Sequence, residues 1–280
     1  MLRTALVLST ALLALALAAP ARAATLRCPG DSVKVGNACV DLYEASVWQI
    51  APSNTSLVRK VQAGKATLAD LTAGGALQLG CNFAPFNQTP YPANFPNTGQ
   101  WTPVLGSVPP SPGVYAVSVP GVLPSACITW FRAAQACRVS GKRLLTNLEW
   151  QDAAAGTPDP GTDNGTTDCN ISTAGNPVNT GSRSSCKSSW GAFDMVGNVI
   201  EWVADWAELD GVGCTDSTTY FGFAGTGDFL CFGGNGSLNA PAALLRGGNW
   251  ADGSHGGVFA VEADNDPTAA DNLIGFRCAR

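Results

Sequence analysis

The stretch "LLRGGNWADGSHGG", residues 244–257, holds His255, the only histidine among 280 residues, with Ser254 and Asp252 beside it. Ser, His and Asp are the side chains of a hydrolase triad. Neighbours in one short loop seldom reach the mutual geometry a triad needs, however, and no nucleophile elbow is present. Gly247 and Gly248 suit a tight backbone turn and not a phosphate cradle, because no P-loop pattern follows them. A second candidate is "DMVGNVIEW", residues 194–202. Asp194 and Glu201 offer hard carboxylate oxygens, and the Gly-Asn turn between them exposes backbone carbonyls, a set that suits calcium. The alternative is that both acids only hydrogen-bond the turn, with Trp202 and Trp206 packed beneath. Arg246 and Arg277 are expected to pair with core carboxylates such as Asp205 or Glu44.

All ten cysteines follow a leader-like start. Arg3, the apolar run "ALVLSTALLALALAA" and the small residues Ala21-Arg22-Ala23 together predict a cleaved export signal over residues 1–23. The product would be periplasmic, cell-surface or secreted, and no cysteine after the cleavage point suggests a lipid anchor. An even cysteine count in an exported chain predicts disulfides, five of them. Zinc is disfavoured by the lack of any CxxC and by the single histidine. Removing residues 1–23 leaves 14 basic against 21 acidic residues, a net charge of −7. An acidic chain without a Lys/Arg cluster points away from nucleic acid, and no later apolar run is long enough for membrane insertion.

These side chains need a scaffold. "CPGDSVKVGNAC" predicts a hairpin around Gly36-Asn37, closed by a local Cys28–Cys39 bridge, and "VDLYEASVW" then alternates as a strand. Residues 51–125 are Pro-, Gly- and Asn-rich and predict long surface loops with brief strands. Trp130, Ala133, Ala134 and Cys137 form one apolar helical face from about Thr129 to Gly141. Thr146 and Glu149 form a capping box for a second helix, with Trp150, Ala153 and Ala154 inside and Gly156 as its stop. Two further loops, near 157–189 and 208–240, are each closed by a cysteine pair, Cys169–Cys186 and Cys214–Cys231.

Four blocks, "CVDLYEAS", "ITWFRAAQACRVSGKRLLTNLEWQDAA", "WGAFDMVGNVIEWVADW" and "LLRGGNWADGS…NLIGFRCAR", resemble in order and spacing the formylglycine-generating enzyme, or sulfatase-modifying factor, family. The resemblance implies an α+β fold, a C-type-lectin-like variant with two helices, a small twisted antiparallel sheet and long loops, forming a single domain over 24–280. It implies a Cys137–Cys278 disulfide, which leaves Cys81 and Cys127 to each other. It also implies a structural calcium site at the Asp194 and Glu201 side chains and the Gly197 and Val199 carbonyls.

Enzymes of this family oxidise a substrate cysteine with copper held by two cysteines. Those positions fall here on Asp252 and Gly257, and no cysteine lies between Cys231 and Cys278. Soft copper requires thiolates, and the related branch that uses non-haem iron requires several histidines. Neither copper nor iron is therefore expected. The tail further resembles the variable proteins of diversity-generating retroelements, in which adenine-directed mutagenesis rewrites exposed positions of the last segment. The matching positions are Ala251, Asp252, Ser254, His255, Glu262, Asp264, Asp266, Thr268, Ala269, Ala270, Asp271, Asn272 and Leu273, with Trp250 and Phe259 bracketing the patch. The expectation is an exported, non-catalytic binding protein whose ligand is a protein, glycan or small molecule. A divergent oxidoreductase with another metal site and a purely structural envelope component are the alternatives.

Overall fold

The computed structural model describes residues 26–95, 113–159, 161–208, 228, 230–231, 233–235 and 240–280. Residues 1–23, where an export signal is expected, most of the loop near 208–240 and Cys214 lie outside the described residues.

The first hairpin forms as its turn dictates. β1 (Ser32–Val35) and β2 (Ala38–Asp41) pair antiparallel across Gly36, whose φ of 54° suits glycine. β2 also pairs with β11 (Cys278–Ala279), which in turn pairs with β6 (Arg143–Leu144). The two ends of the described chain thus share one sheet. The strand expected over "VDLYEASVW" is instead split: β2 stops at Asp41 and β3 (Ser46–Gln49) enters a different sheet, flanked by β4 (Leu77–Leu79) and β5 (Val114–Val117). The break arises because Leu42 N–H donates to Asp31 and Ala45 N–H to Phe276, so the chain changes partners there. The third sheet runs β10 (Ile274–Phe276), β7 (Ile200–Ala207), β8 (Ala242–Arg246), β9 (Val261–Glu262), with β10 parallel to β7. Among the described residues, three small sheets, one with a parallel pair, stand where a single antiparallel sheet was expected.

The helices number four among the described residues, not two. α1 (Thr55–Gln62) and α2 (Leu68–Ala73) lie where loops were expected. Asn54 accepts from Leu57 N–H at the start of α1, and Thr67 with Asp70 forms a capping box on α2. Leu57, Val61 and Leu71 are buried and, with the partly buried Val58 and Leu68, anchor both helices against β3 and β5. α3 (Trp130–Val139) starts at the Thr129 cap, with Ala133, Ala136 and Cys137 fully buried while Trp130 and Ala134 sit at the edge of its inner face. α4 (Asn147–Ala154) carries the Thr146–Glu149 box and buries Trp150, Ala153 and Ala154. Disulfides Cys28–Cys39, Cys81–Cys127, Cys137–Cys278 and Cys169–Cys186 are formed, and Cys231 is disulfide-bonded. Cys137–Cys278 fastens α3 to the closing strand, beneath the sheet that carries the tail. No helix among the described residues is long and apolar enough to cross a membrane.

Candidate functional site

Residues 247–273 leave the end of β8, loop back through β9 and return to β10. Gly247 (φ 93°) and Gly248 (φ 74°) make the first bend possible. A Cβ on Gly248 would lie 2.4 Å from the Gly256 Cα, so the loop folds on itself only with glycine there. Asp252 holds that fold: its Oδ2 accepts from both the backbone N–H and the side-chain amide of Asn249, each at 2.8 Å. Trp250 N–H donates to Asn198 O and Gly253 N–H to Ile171 O, which dock the loop on the 170–198 region. Gly253–His255 forms one 3₁₀ turn. Burial raises the Asp252 carboxyl, while its hydrogen bonds from Asn249 and the charge of His255 oppose that rise.

The space beside Gly257 is filled. A Cβ there would fall 2.3 Å from Asp228 Oδ1 and 2.4 Å from Asp159 Oδ2. The two carboxylates also hold the next two residues, Asp228 accepting from Phe259 N–H at 2.8 Å and Asp159 from Val258 N–H at 3.2 Å. Burial, and then the charge of Asp228, pushes Asp159 up to about 6. Neither acid was visible as a site residue in the sequence, because each lies far along the chain from position 257 and in no motif.

Beyond this point, framework and display residues alternate. Gly256, Gly257, Ala260, Val261, Ala263, Pro267 and Ile274 are buried, whereas Ala251, Ser254, Phe259, Thr268, Ala270 and Asp271 are exposed. Trp250, Asp252, His255, Glu262, Asp264, Asp266, Ala269, Asn272 and Leu273 are partly buried. Asn265 donates its amide to both Glu262 and Asp264. Burial and the neighbouring charges of Asp264 and Asp252 push Glu262 up to about 8. Asp266 and Asp271 cap their own loops, accepting from Thr268 and Leu273 N–H.

Beneath the surface, Glu201 accepts from Arg277 Nε and Nη2 and from Trp150 Nε1, at 2.6–2.9 Å. Arg277 therefore pairs with Glu201, not with Asp205 or Glu44: Asp205 accepts from Asn147 N–H at the start of α4, and Glu44 from Asn198 and Val199. Arg246 stacks on Trp150 at 4.5 Å, donates to Gln151 and to the Ala260 carbonyl, and is held charged by the carboxylate of Asp228 against the burial that lowers it. Asp194 Oδ2 accepts from Gly181 N–H at 2.7 Å. Glu44, Asp194 and Glu201 are all buried, with Arg277 as the buried guanidinium that reaches Glu201. Arg183, also buried, acts on Asp194 as well, and Asp194 is close in sequence to Gly197 and Val199, whose carbonyls would complete an oxygen set with Asp194 and Glu201. Glu201 would have to serve both a cation and Arg277, since both its oxygens already carry hydrogen bonds. Among the described residues no three His, Cys, Asp or Glu side chains are grouped to hold a metal ion.

A profile of the sulfatase-modifying factor enzyme 1-like domain matches residues 53–280. The chain belongs to that family. The formylglycine-generating enzyme of Streptomyces coelicolor is 31% identical over 173 residues, 54% of this chain and 51% of that protein. The serine/threonine-protein kinase pkn1 of Chlamydia caviae is 28% identical over 159 residues, 55% of this chain and 23% of the kinase. The chain thus spans about half the length of the first relative and about a quarter of the second. Among solved structures, the Major Tropism Determinant P3c variant matches at 22% identity and TM-score 0.43, over 90% of this chain and 52% of its own. PvdO from Pseudomonas aeruginosa matches at 18% identity and TM-score 0.37, over 87% of this chain and 80% of its own. The α+β architecture and the sulfatase-modifying blocks are those the sequence led one to expect.

Proposed function

We propose that this chain is an exported, non-catalytic member of the sulfatase-modifying factor family that works as a binding protein, through the face formed by residues 250–273. The observation that carries the reading is the chemistry at the two positions where the family's copper thiolates would stand. One is Asp252, whose carboxylate is committed to Asn249; the other is Gly257, whose side-chain space holds two carboxylate oxygens. Hard oxygens and a missing side chain do not make a soft-metal site. Four disulfides among the described residues support passage through an oxidising compartment. The test is incubation of the purified chain with copper and a sulfatase-type cysteine peptide: no formylglycine is expected, and turnover overturns the reading.

Two finer readings accompany it. The exposed tail positions, set between buried framework residues, are suited to diversification by a retroelement; a neighbouring reverse-transcriptase gene with an imperfect, adenine-differing copy of the final segment supports this, and absence of both refutes it. A structural calcium ion at Asp194, Glu201 and the Gly197 and Val199 carbonyls would balance the buried acids. Titration calorimetry on chelator-treated protein is expected to show one calcium site that Asp194→Ala abolishes, and no heat of binding contradicts it.

A further inference from the structure

Away from the tail, a buried amine stands between two carboxyl groups. Gly141 (φ 72°) turns the chain at the end of α3, and Lys142 N–H donates to the Cys137 carbonyl as the chain heads into β6. The Lys142 Nζ lies 2.6 Å from Asp41 Oδ1 and 2.7 Å from Asp31 Oδ2. The side chains of Lys142 and Asp41 are 0% exposed and that of Asp31 is 5% exposed. Asp41 closes β2, Lys142 precedes β6, and β11 runs between those two strands. The second oxygen of Asp41, Oδ2, accepts from Cys278 N–H on β11 at 3.3 Å. The other oxygen of Asp31, Oδ1, accepts from Arg280 at 3.0 Å.

The surroundings drive the two acids apart. Burial pushes Asp41 up to about 6 against the opposing charge of Lys142. Burial acts on Asp31 too, but the charges and hydrogen bonds of Lys142 and Arg280 outweigh it and hold that carboxyl below its ordinary range. Neighbouring carboxyl groups separated in this way divide into an acid and a base. A protonated carboxyl is an electrophile, and an amine relieved of its proton is a nucleophile. Cys278 N–H stands where negative charge would gather on Asp41 Oδ2 during attack. We infer that Lys142 and Asp41 condense, with Asp31 as proton carrier, into an intramolecular amide cross-link that joins β2 to the entry of β6. Asp31 takes a proton from the Lys142 ammonium, and the freed Nζ lone pair attacks Asp41 Cγ. The Cγ–OH bond breaks, and the hydroxyl leaves as water with the proton that Asp31 returns. The second proton lost from Nζ ends on Asp31, so atoms and charge balance with water as the by-product. The cross-link goes beyond the binding reading and does not depend on it. It adds a staple that a reductant cannot open to the Cys137–Cys278 disulfide on the same strands.

The test is tryptic peptide mapping by mass spectrometry of the full purified chain after reduction and alkylation. Trypsin does not cut at an acylated lysine, so residues 35–59, which hold Asp41, are expected joined to residues 139–143, which hold Lys142, lighter by one water than the two peptides together. Lys142→Arg, which keeps the positive charge, and Asp41→Ala are expected to release the two peptides at full mass. Asp31→Asn, isosteric but no proton acceptor, is expected to leave most of the chain without the cross-link, since a positioned acid–base group contributes about a hundredfold or more. Separate full-mass peptides from the parent chain overturn the inference and leave an ordinary buried ion pair. So does a water lost elsewhere, as in a succinimide at Asp252-Gly253, and complete cross-linking in Asp31→Asn overturns the proton carrier. Should a variant fail to fold, the map of the parent chain still decides, because it needs no substitution. None of these results touches the non-catalytic reading, which fails only if the chain converts a sulfatase-type peptide.

Discussion

Gly257→Ala places one methyl group where two carboxylates now stand. Nothing about the backbone forbids it, because Gly257 does not occupy the left-handed region; the obstacle is the contact at 2.3 Å to Asp228 Oδ1 and 2.4 Å to Asp159 Oδ2. Asp228 is fully buried and has a short side chain, so it moves aside only by releasing Phe259 N–H, and Asp159 only by releasing Val258 N–H. Hydrogen bonds to charged groups contribute about 1.5–3 kcal/mol each, so losing or straining both costs about 3–4 kcal/mol. For a domain of this size that is a fall of roughly 10 °C in Tm. Thermal and urea unfolding with the disulfides intact measure it. Asp228→Ala, added to Gly257→Ala, should return part of the loss, giving a coupling energy of at least about 1 kcal/mol in a double-mutant cycle. A Gly257→Ala chain within about 0.5 kcal/mol of the parent would refute the crowded-cradle geometry.

Glu262, pushed up to about 8 from an ordinary 4.5, holds its proton in the folded state across that interval. Stability contributed by this group is therefore present at low pH and falls as pH rises from about 4.5 to 8; Glu262→Gln should flatten the profile, raising stability at pH 8 by about 2 kcal/mol, below the ~5 kcal/mol of the whole shift because Asp264 shares the charge. An unchanged pH–stability curve in this variant contradicts that. Arg277→Met strands the Glu201 carboxylate inside the protein and is expected to cost about 3–5 kcal/mol in urea unfolding, whereas Arg143→Met, on the exposed Glu149 pair, should cost under about 1 kcal/mol. Replacing Cys137 and Cys278 by alanine opens a loop of 141 residues and should lower stability by up to about 5 kcal/mol; a change in Tm of a degree or less would count against Cys137–Cys278 as the clamp between α3 and β11.

Local signals were readable where they are self-contained. Thr129 and the Thr146–Glu149 box mark α3 and α4 because a cap needs only three or four residues to declare itself. α1 and α2 carry the same signals, Asn54 and Thr67 with Asp70, but they are submerged in a stretch rich in Pro, Gly and Asn, and their Asp stands where the usual box has Glu or Gln. The split between β2 and β3 was hidden because "VDLYEASVW" alternates throughout; only the partners of Leu42 and Ala45 reveal the change of sheet. Arg277 meets Glu201 across 76 residues, and Asp159 meets Val258 across 99. Such encounters are set by topology and leave no periodic trace. Absence of cysteine at 252 and 257 was plain in the sequence, whereas the oxygens filling the gap at 257 are a property of the folded chain.

The most direct measurement is of metal-dependent turnover. The purified chain, together with a form carrying Asp252→Cys and Gly257→Cys, is incubated with Cu(I), oxygen and a sulfatase-type cysteine peptide, and formylglycine is followed by mass spectrometry. The account predicts no product from the parent chain, and none from the double substitution while Asp159 and Asp228 still crowd position 257. Formylglycine produced by the unaltered chain would contradict it.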